Sequence, residues 1–202
     1  MKKIICYGDS NTYGYVPENF FGGRYTERER WTGILAEEDE LLIVEAGMNG
    51  REIPTGGQLI SFDHILDQVN PFDLITIMLG SNDLLYEYGI TVEDIAGNME
   101  VLLRHALDHP SVAGDAGKLL LIAPPPFALP EPGAEELCRM SEEFAPRYRQ
   151  VAEETGVHFA DAGSWDLGLT IDGVHFSPEG HRSFADHMKN ALREIFPESA
   201  SH

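Results

Sequence analysis

Five short apolar runs punctuate the chain: Ile4–Tyr7, Leu41–Val44, Leu74–Leu79, Leu119–Ile122 and Val157–Phe159. Each is near-continuous rather than alternating, the pattern of a strand covered on both faces. Longer segments of helical period separate them. Glu27–Glu38 places Trp31, Ile34 and Leu35 on one side, and Gln58–Val69 does the same with Leu59, Phe62, Ile65, Leu66 and Val69. Thr91 reads as the N-cap of a helix carrying Ile95, Met99, Leu102, Leu103 and Ala106. Ala134–Thr155 carries Leu137, Phe144, Tyr148 and Val151 and is kinked or divided by Pro146. Ser177 and Pro178 open a last helix with Phe184, Met188, Leu192 and Ile195. This alternation predicts an α/β fold with one five-stranded parallel sheet and helices on both faces. A length of 202 residues suits one domain spanning 1–202, with Pro197–His202 as a frayed tail.

The charge balance removes several functions. There are 34 Asp and Glu against 14 Lys and Arg, a formal net charge of -20. Such a surface repels phosphate backbones and anionic membranes, so no nucleic acid and no membrane is expected as a partner. No apolar run approaches the ~18 residues of a membrane helix. The two cysteines, Cys6 and Cys138, make no disulfide framework, and Cys6 packs as a small hydrophobe in its strand. A cytoplasmic address is expected. His181 and His187 are six residues apart, not the i, i+4 pair of a helical zinc site, and are expected at solvent or on a helix surface.

In open α/β sheets, ligands collect beyond the carboxyl ends of the strands. Four polar motifs fall there. Gly8-Asp9-Ser10-Asn11 follows the first run, Gly47-Met48-Asn49-Gly50 the second and Gly80-Ser81-Asn82-Asp83 the third; Asp172-Gly173-Val174-His175 precedes the last helix. Together they offer acyl transfer. A serine hydroxyl needs a base to become a nucleophile, an imidazole is the usual base, and a carboxylate on its far nitrogen fixes the tautomer. A turn at Gly173 folds Asp172 back onto His175. A tetrahedral intermediate also needs donors for its oxyanion. Gly50 N–H, Ser10 N–H and the Asn82 amide are the candidates. Asp9 is expected to be a buried organiser of its turn rather than a second acid.

The four motifs, in this order, resemble the conserved blocks of the SGNH/GDSL hydrolase family, whose Ser, Gly, Asn and His match Ser10, Gly50, Asn82 and His175. Arg30-Trp31-Thr32-Gly33, Ile77–Asp83, Pro124-Pro125-Pro126 and Asp161–Ser164 are similar to the bacterial aryl-esterase and acyltransferase (perhydrolase) branch. The resemblance implies a flavodoxin-like three-layer α/β/α sandwich with no metal and no cofactor. It implies nucleophile Ser10, base His175, orienting acid Asp172 and oxyanion donors Ser10, Gly50 and Asn82. The implied activity is hydrolysis of small acyl or aryl esters through an acyl-enzyme, with acyl transfer in some members. One departure stands beside the nucleophile, where Asn11 replaces the leucine of the family name.

Candidate substrate contacts are Asn11, Tyr13, Trp31, Phe127 and Val174, with Tyr15 and Trp165 as further aromatics. The expected partner is a small-molecule ester, and self-assembly into a homo-oligomer is left open. Three alternatives stay open: a deacetylase of sugars or other polar metabolites, a flavodoxin-like binding module without chemistry, and a partner-binding protein with a vestigial site. The second lacks both a G-x-x-x-x-G-K-[ST] loop and a G-x-G-x-x-G turn after a strand.

Overall fold

A computed structural model describes residues 1–17 and 23–197. Five strands, β1 (Lys2–Gly8), β2 (Leu41–Gly47), β3 (Leu74–Met78), β4 (Leu119–Ala123) and β5 (His158–Asp161), form one parallel sheet in the order β2-β1-β3-β4-β5. The direction of winding reverses between β1 and β3, which opens a crevice at their carboxyl ends. The fold is the expected α/β sandwich around a five-stranded parallel sheet.

Alternation along the strands sends neighbouring side chains to opposite layers. Ile5, Tyr7, Ile75, Ile77, Leu119 and Leu121 pack with α3 (Leu59–Val69), α5 (Val92–Asp108) and α7 (Phe144–Thr155) through Phe62, Met99 and Tyr148. Ile4, Cys6, Leu74, Met78, Leu120 and Ile122 face α2 (Trp31–Leu35) and α8 (Pro178–Ile195) through Trp31, Phe184 and Met188. Burial pushes the Cys6 thiol up to about 12, so it stays protonated in that core. The central strands β3 and β4 are buried along their whole length, whereas β2 is only half-buried because it lies at the sheet edge.

Local chemistry sets the helix ends. Thr91 accepts from Asp94 N–H while Asp94 accepts from Thr91 N–H, a reciprocal cap for α5. Ser177 Oγ accepts from Gly180 N–H, and Pro178 opens α8. The segment before Thr155 is divided, as α6 (Glu135–Ser141) and α7, with Pro146 in the first turn of the second piece. Two expectations change. The helix expected over Glu27–Glu38 reduces to Trp31–Leu35, because Arg30 is extended and spends its guanidinium on both carboxylate oxygens of Glu45 in β2. Two short helices, α1 (Ser10–Tyr13) and α4 (Ser81–Tyr86), grow directly out of the polar motifs. The tail expected to fray lies outside the described residues beyond Pro197.

Candidate active site

The turn after β1 places Ser10 as the first residue of α1, where an N–H has no partner within its own helix. Asp9 caps that helix by accepting from Asn11 N–H at 2.9 Å. Burial pushes the Asp9 carboxyl up to about 6, its backbone donors and the nearby His175 and Arg51 only partly opposing this. Asp9 is thus the buried organiser of the turn.

The candidate base, His175, arrives from the opposite end of the chain. Ser10 Oγ lies 2.9 Å from His175 Nε2, and His175 Nδ1 lies 2.6 Å from Asp172 Oδ2. The turn between them needs Gly173, which has φ 69° and whose missing Cβ would sit 2.0 Å from the Ala128 carbonyl oxygen. Asp172 Oδ1 accepts from Val174 N–H (2.9 Å), His175 N–H (3.0 Å) and Thr170 Oγ1 (2.8 Å). Partial burial raises this carboxyl, but the hydrogen bonds from His175, Val174 and Thr170 outweigh it and bring Asp172 down to about 2. The acid is therefore ionised at any working pH.

The Gly and Asn motifs complete the rim. Met48–Arg51 is closed by Arg51 N–H donating to Met48 O at 3.2 Å, with Gly50 inside it at φ 68°. Asn82 lies in the first turn of α4, and its amide donates to Arg51 O at 3.0 Å, leaving its second hydrogen for a ligand. Asp83 takes Ile53 N–H on both carboxylate oxygens at 3.2 Å, and burial pushes it up to about 6. Ser10, Gly50, Asn82, Asp172 and His175 share one cleft of about 520 Å³ with Tyr15, Asn49, Leu85, Tyr86 and Val174.

The candidate substrate contacts divide. Val174 and Tyr15 line the cleft, the Tyr15 ring 5.0 Å from that of His175. The others go elsewhere. Asn11 is buried and binds the base loop, donating to Val174 O (3.1 Å) and accepting from Phe176 N–H (2.8 Å). An amide where the family name has leucine therefore ties the nucleophile turn to the histidine loop. Trp31 is 1% exposed in the core, its indole N–H held by Asn11 O at 3.1 Å. Phe127 is a core residue on the other face. Tyr13 lies under the Arg24 guanidinium, and Trp165 stacks on His187 and packs against Phe184. Trp31 and Phe127 are buried, as large apolar rings in a core commonly are. His181 also departs from expectation. It is fully buried against Tyr25 and Phe176, and burial brings it down to about 3, so it is a neutral core histidine.

Leu85 and Tyr86 were not anticipated. They follow Asn82 by three and four residues, so a helix that turns Asn82 to the cleft brings them to the same face. Among the described residues no group of three or more His, Cys, Asp or Glu is placed to hold a metal ion. Nor is any described helix long and apolar enough to cross a membrane.

A family model described as the GDSL-like lipase/acylhydrolase family matches residues 6–183. The chain belongs to that family. It is accordingly a carboxylic-ester hydrolase. An aryl esterase of M. smegmatis is similar at 29% identity and TM-score 0.83, covering 96% of this chain and 100% of its own. A carbohydrate acetylesterase from Sinorhizobium meliloti is similar at 28% identity and TM-score 0.83, covering 97% and 100%. A lipase/acylhydrolase from Enterococcus faecalis shares the fold of this hydrolase at 21% identity and TM-score 0.70, covering 96% of each chain. No curated protein gives a match.

Proposed function

We propose that this hydrolase cleaves small acyl or aryl esters through an acyl-enzyme on Ser10. The observation that carries the reading is the unbroken contact from Ser10 Oγ through His175 to Asp172, 2.9 and 2.6 Å. His175 Nε2 takes the Ser10 proton as Oγ bonds to the ester carbonyl carbon, and the carbonyl oxygen becomes an oxyanion. Ser10 N–H, Gly50 N–H and the free hydrogen of the Asn82 amide receive that charge. As the tetrahedral centre collapses, the imidazolium returns its proton to the departing alkoxide and leaves an acyl-Ser10 ester. Water, deprotonated by His175, then attacks the acyl carbon, and as the carbon–Oγ bond breaks the imidazolium returns its proton to Ser10 Oγ and the acid is freed. Asp172 keeps Nδ1 as the protonated nitrogen and stabilises the imidazolium.

Ser10→Ala is the direct test. It should abolish p-nitrophenyl acetate turnover while the circular dichroism spectrum and melting temperature stay close to those of the parent. Turnover at the parent rate in a folded Ser10→Ala protein would remove the assignment. A second reading, deacetylation of polar saccharides by the same residues, is favoured by the acetylesterase neighbour, whose TM-score equals that of the aryl esterase. A panel of aryl esters and acetylated sugars separates the two by kcat/KM.

A further inference from the structure

We infer that Arg51 is a positioning residue for ester hydrolysis: by pinning the turn after β2 to the ends of β1 and β2, it holds the Gly50 N–H and the Asn82 amide in the geometry that receives the oxyanion. The inference rests on the donor reading of Gly50 and Asn82 and adds a residue that touches neither nucleophile nor base.

Four contacts carry it. The Arg51 guanidinium donates from Nη1 to Gly8 O at 2.8 Å and also to Ala46 O, so it ties together the carboxyl ends of two adjacent strands. Gly8 is two residues before the nucleophile, and Gly8 O also receives Met48 N–H at 3.1 Å. The Arg51 backbone N–H closes the Met48–Arg51 turn around Gly50, and the Arg51 carbonyl takes one hydrogen of the Asn82 amide at 3.0 Å. Arg51 therefore bonds to the ends of β1 and β2, to the turn after β2 and to α4, and so links the elements that lead into or supply the three proposed donors.

The side chain is placed for that work. Its guanidinium carbon sits over the Tyr7 ring, 4.1 Å from the ring centre, a cation–π contact made while Nη1 donates to Gly8 O and Ala46 O. Among the described residues no carboxylate lies within ion-pair distance of it. A half-buried cation without a direct counter-ion is unusual in a chain of net charge -20. Its hydrogen bonds go to backbone carbonyls, which fixes their position, while the Asp9 carboxylate acts on it only through space. Gly50 has open space where a Cβ would stand, so no contact on that side braces the residue, and its neighbour Arg51 is the anchored member of the turn. Preorganised donors lose their advantage when they drift, and a misplacement of about 1 Å costs on the order of 100-fold in rate.

The test is a double-mutant cycle on p-nitrophenyl acetate hydrolysis with Arg51→Met, Asn82→Ala and the double variant, with Arg51→Lys as the conservative replacement. Arg51→Met should lower kcat on the order of 10- to 100-fold with KM nearly unchanged, because the donors act in the transition state. Arg51→Lys, which retains the charge but not the planar fork, should recover part of that loss. In the Asn82→Ala background the Arg51→Met penalty should shrink several-fold, since one donor it positions is gone. An Arg51→Met kcat equal to the parent's, a loss confined to KM, or the same penalty in both backgrounds would overturn the inference while the donor reading stands. Unchanged kcat in Asn82→Ala would instead overturn the donor reading and this inference with it. Should Arg51→Met fail to fold by circular dichroism, Arg51→Lys decides: a lowered kcat at constant KM supports the role, and parent-like kcat refutes it.

Discussion

The loop that carries the proposed base and the turns that carry the proposed nucleophile and donors treat their carboxylates in opposite ways. In the loop, Asp172 collects donors from Val174 N–H, His175 N–H, Thr170 Oγ1 and His175 Nδ1, and sits at about 2. In the turns, Asp9 and Asp83 are nearly sealed from solvent, receive backbone donors from Asn11 and Ile53 respectively, and sit at about 6. Hydrogen bonding beats desolvation in the first region and loses to it in the second. The lesson is one of function. The carboxylate proposed to stabilise an imidazolium is kept charged by donors, while the carboxylates that shape turns take up a proton more readily.

The largest way to break this comparison is Asp172→Asn. The amide retains the size of the side chain but cannot enforce the tautomer in which Nδ1 is the donor, so kcat is expected to fall about 10⁴-fold. Steady-state kinetics on p-nitrophenyl acetate measures it, and a fall of less than about tenfold would mean that the loop carboxylate does no electrostatic work. Asn82→Ala probes the turn side. The loss of one oxyanion donor is expected to lower kcat by about 10²–10³-fold and to leave KM nearly unchanged. A rise in KM at constant kcat would make Asn82 a ground-state binding group instead.

The sequence exposes the frame of this site more readily than its walls. All five apolar runs become strands, since a buried parallel strand must be apolar along its length, and the four polar motifs meet because strand ends share one edge. Short elements leave no such trace. Ser10–Tyr13 is a single helical turn, too brief for a period to show, and Trp31–Leu35 is cut short by an Arg30–Glu45 pair that lies fifteen residues apart in the chain. Pocket walls are harder still. Trp31 and Phe127 are attractive ligand contacts by residue type, yet large rings are also the best core residues, and both are buried. Leu85 and Tyr86 carry a faint signal, their helical spacing from Asn82. His181 shows the same ambiguity: only packing against Tyr25 and Phe176 tells a core histidine from a surface one.

The smallest effect is on stability and tests the turn carboxylates directly. Asp83 is raised from 3.8 to about 6 on folding, so the folded chain holds its proton more tightly than the unfolded chain. Its contribution is present below the unfolded value of 3.8 and is lost as pH rises through about 6. Asp172 has the opposite sign: its contribution is present above 3.8 and disappears as pH falls towards about 2. Asp83→Asn keeps an oxygen for Ile53 N–H and cannot ionise. Relative to the parent, the variant should therefore gain stability between pH 4 and pH 7, by roughly 2–3 kcal/mol. In thermal melts the difference in Tm should move in the variant's favour by on the order of 5 °C across that window. A difference that stays flat from pH 4 to pH 7 would show that Asp83 ionises as easily folded as unfolded. The contrast between loop and turns would then fail on the side of the turns.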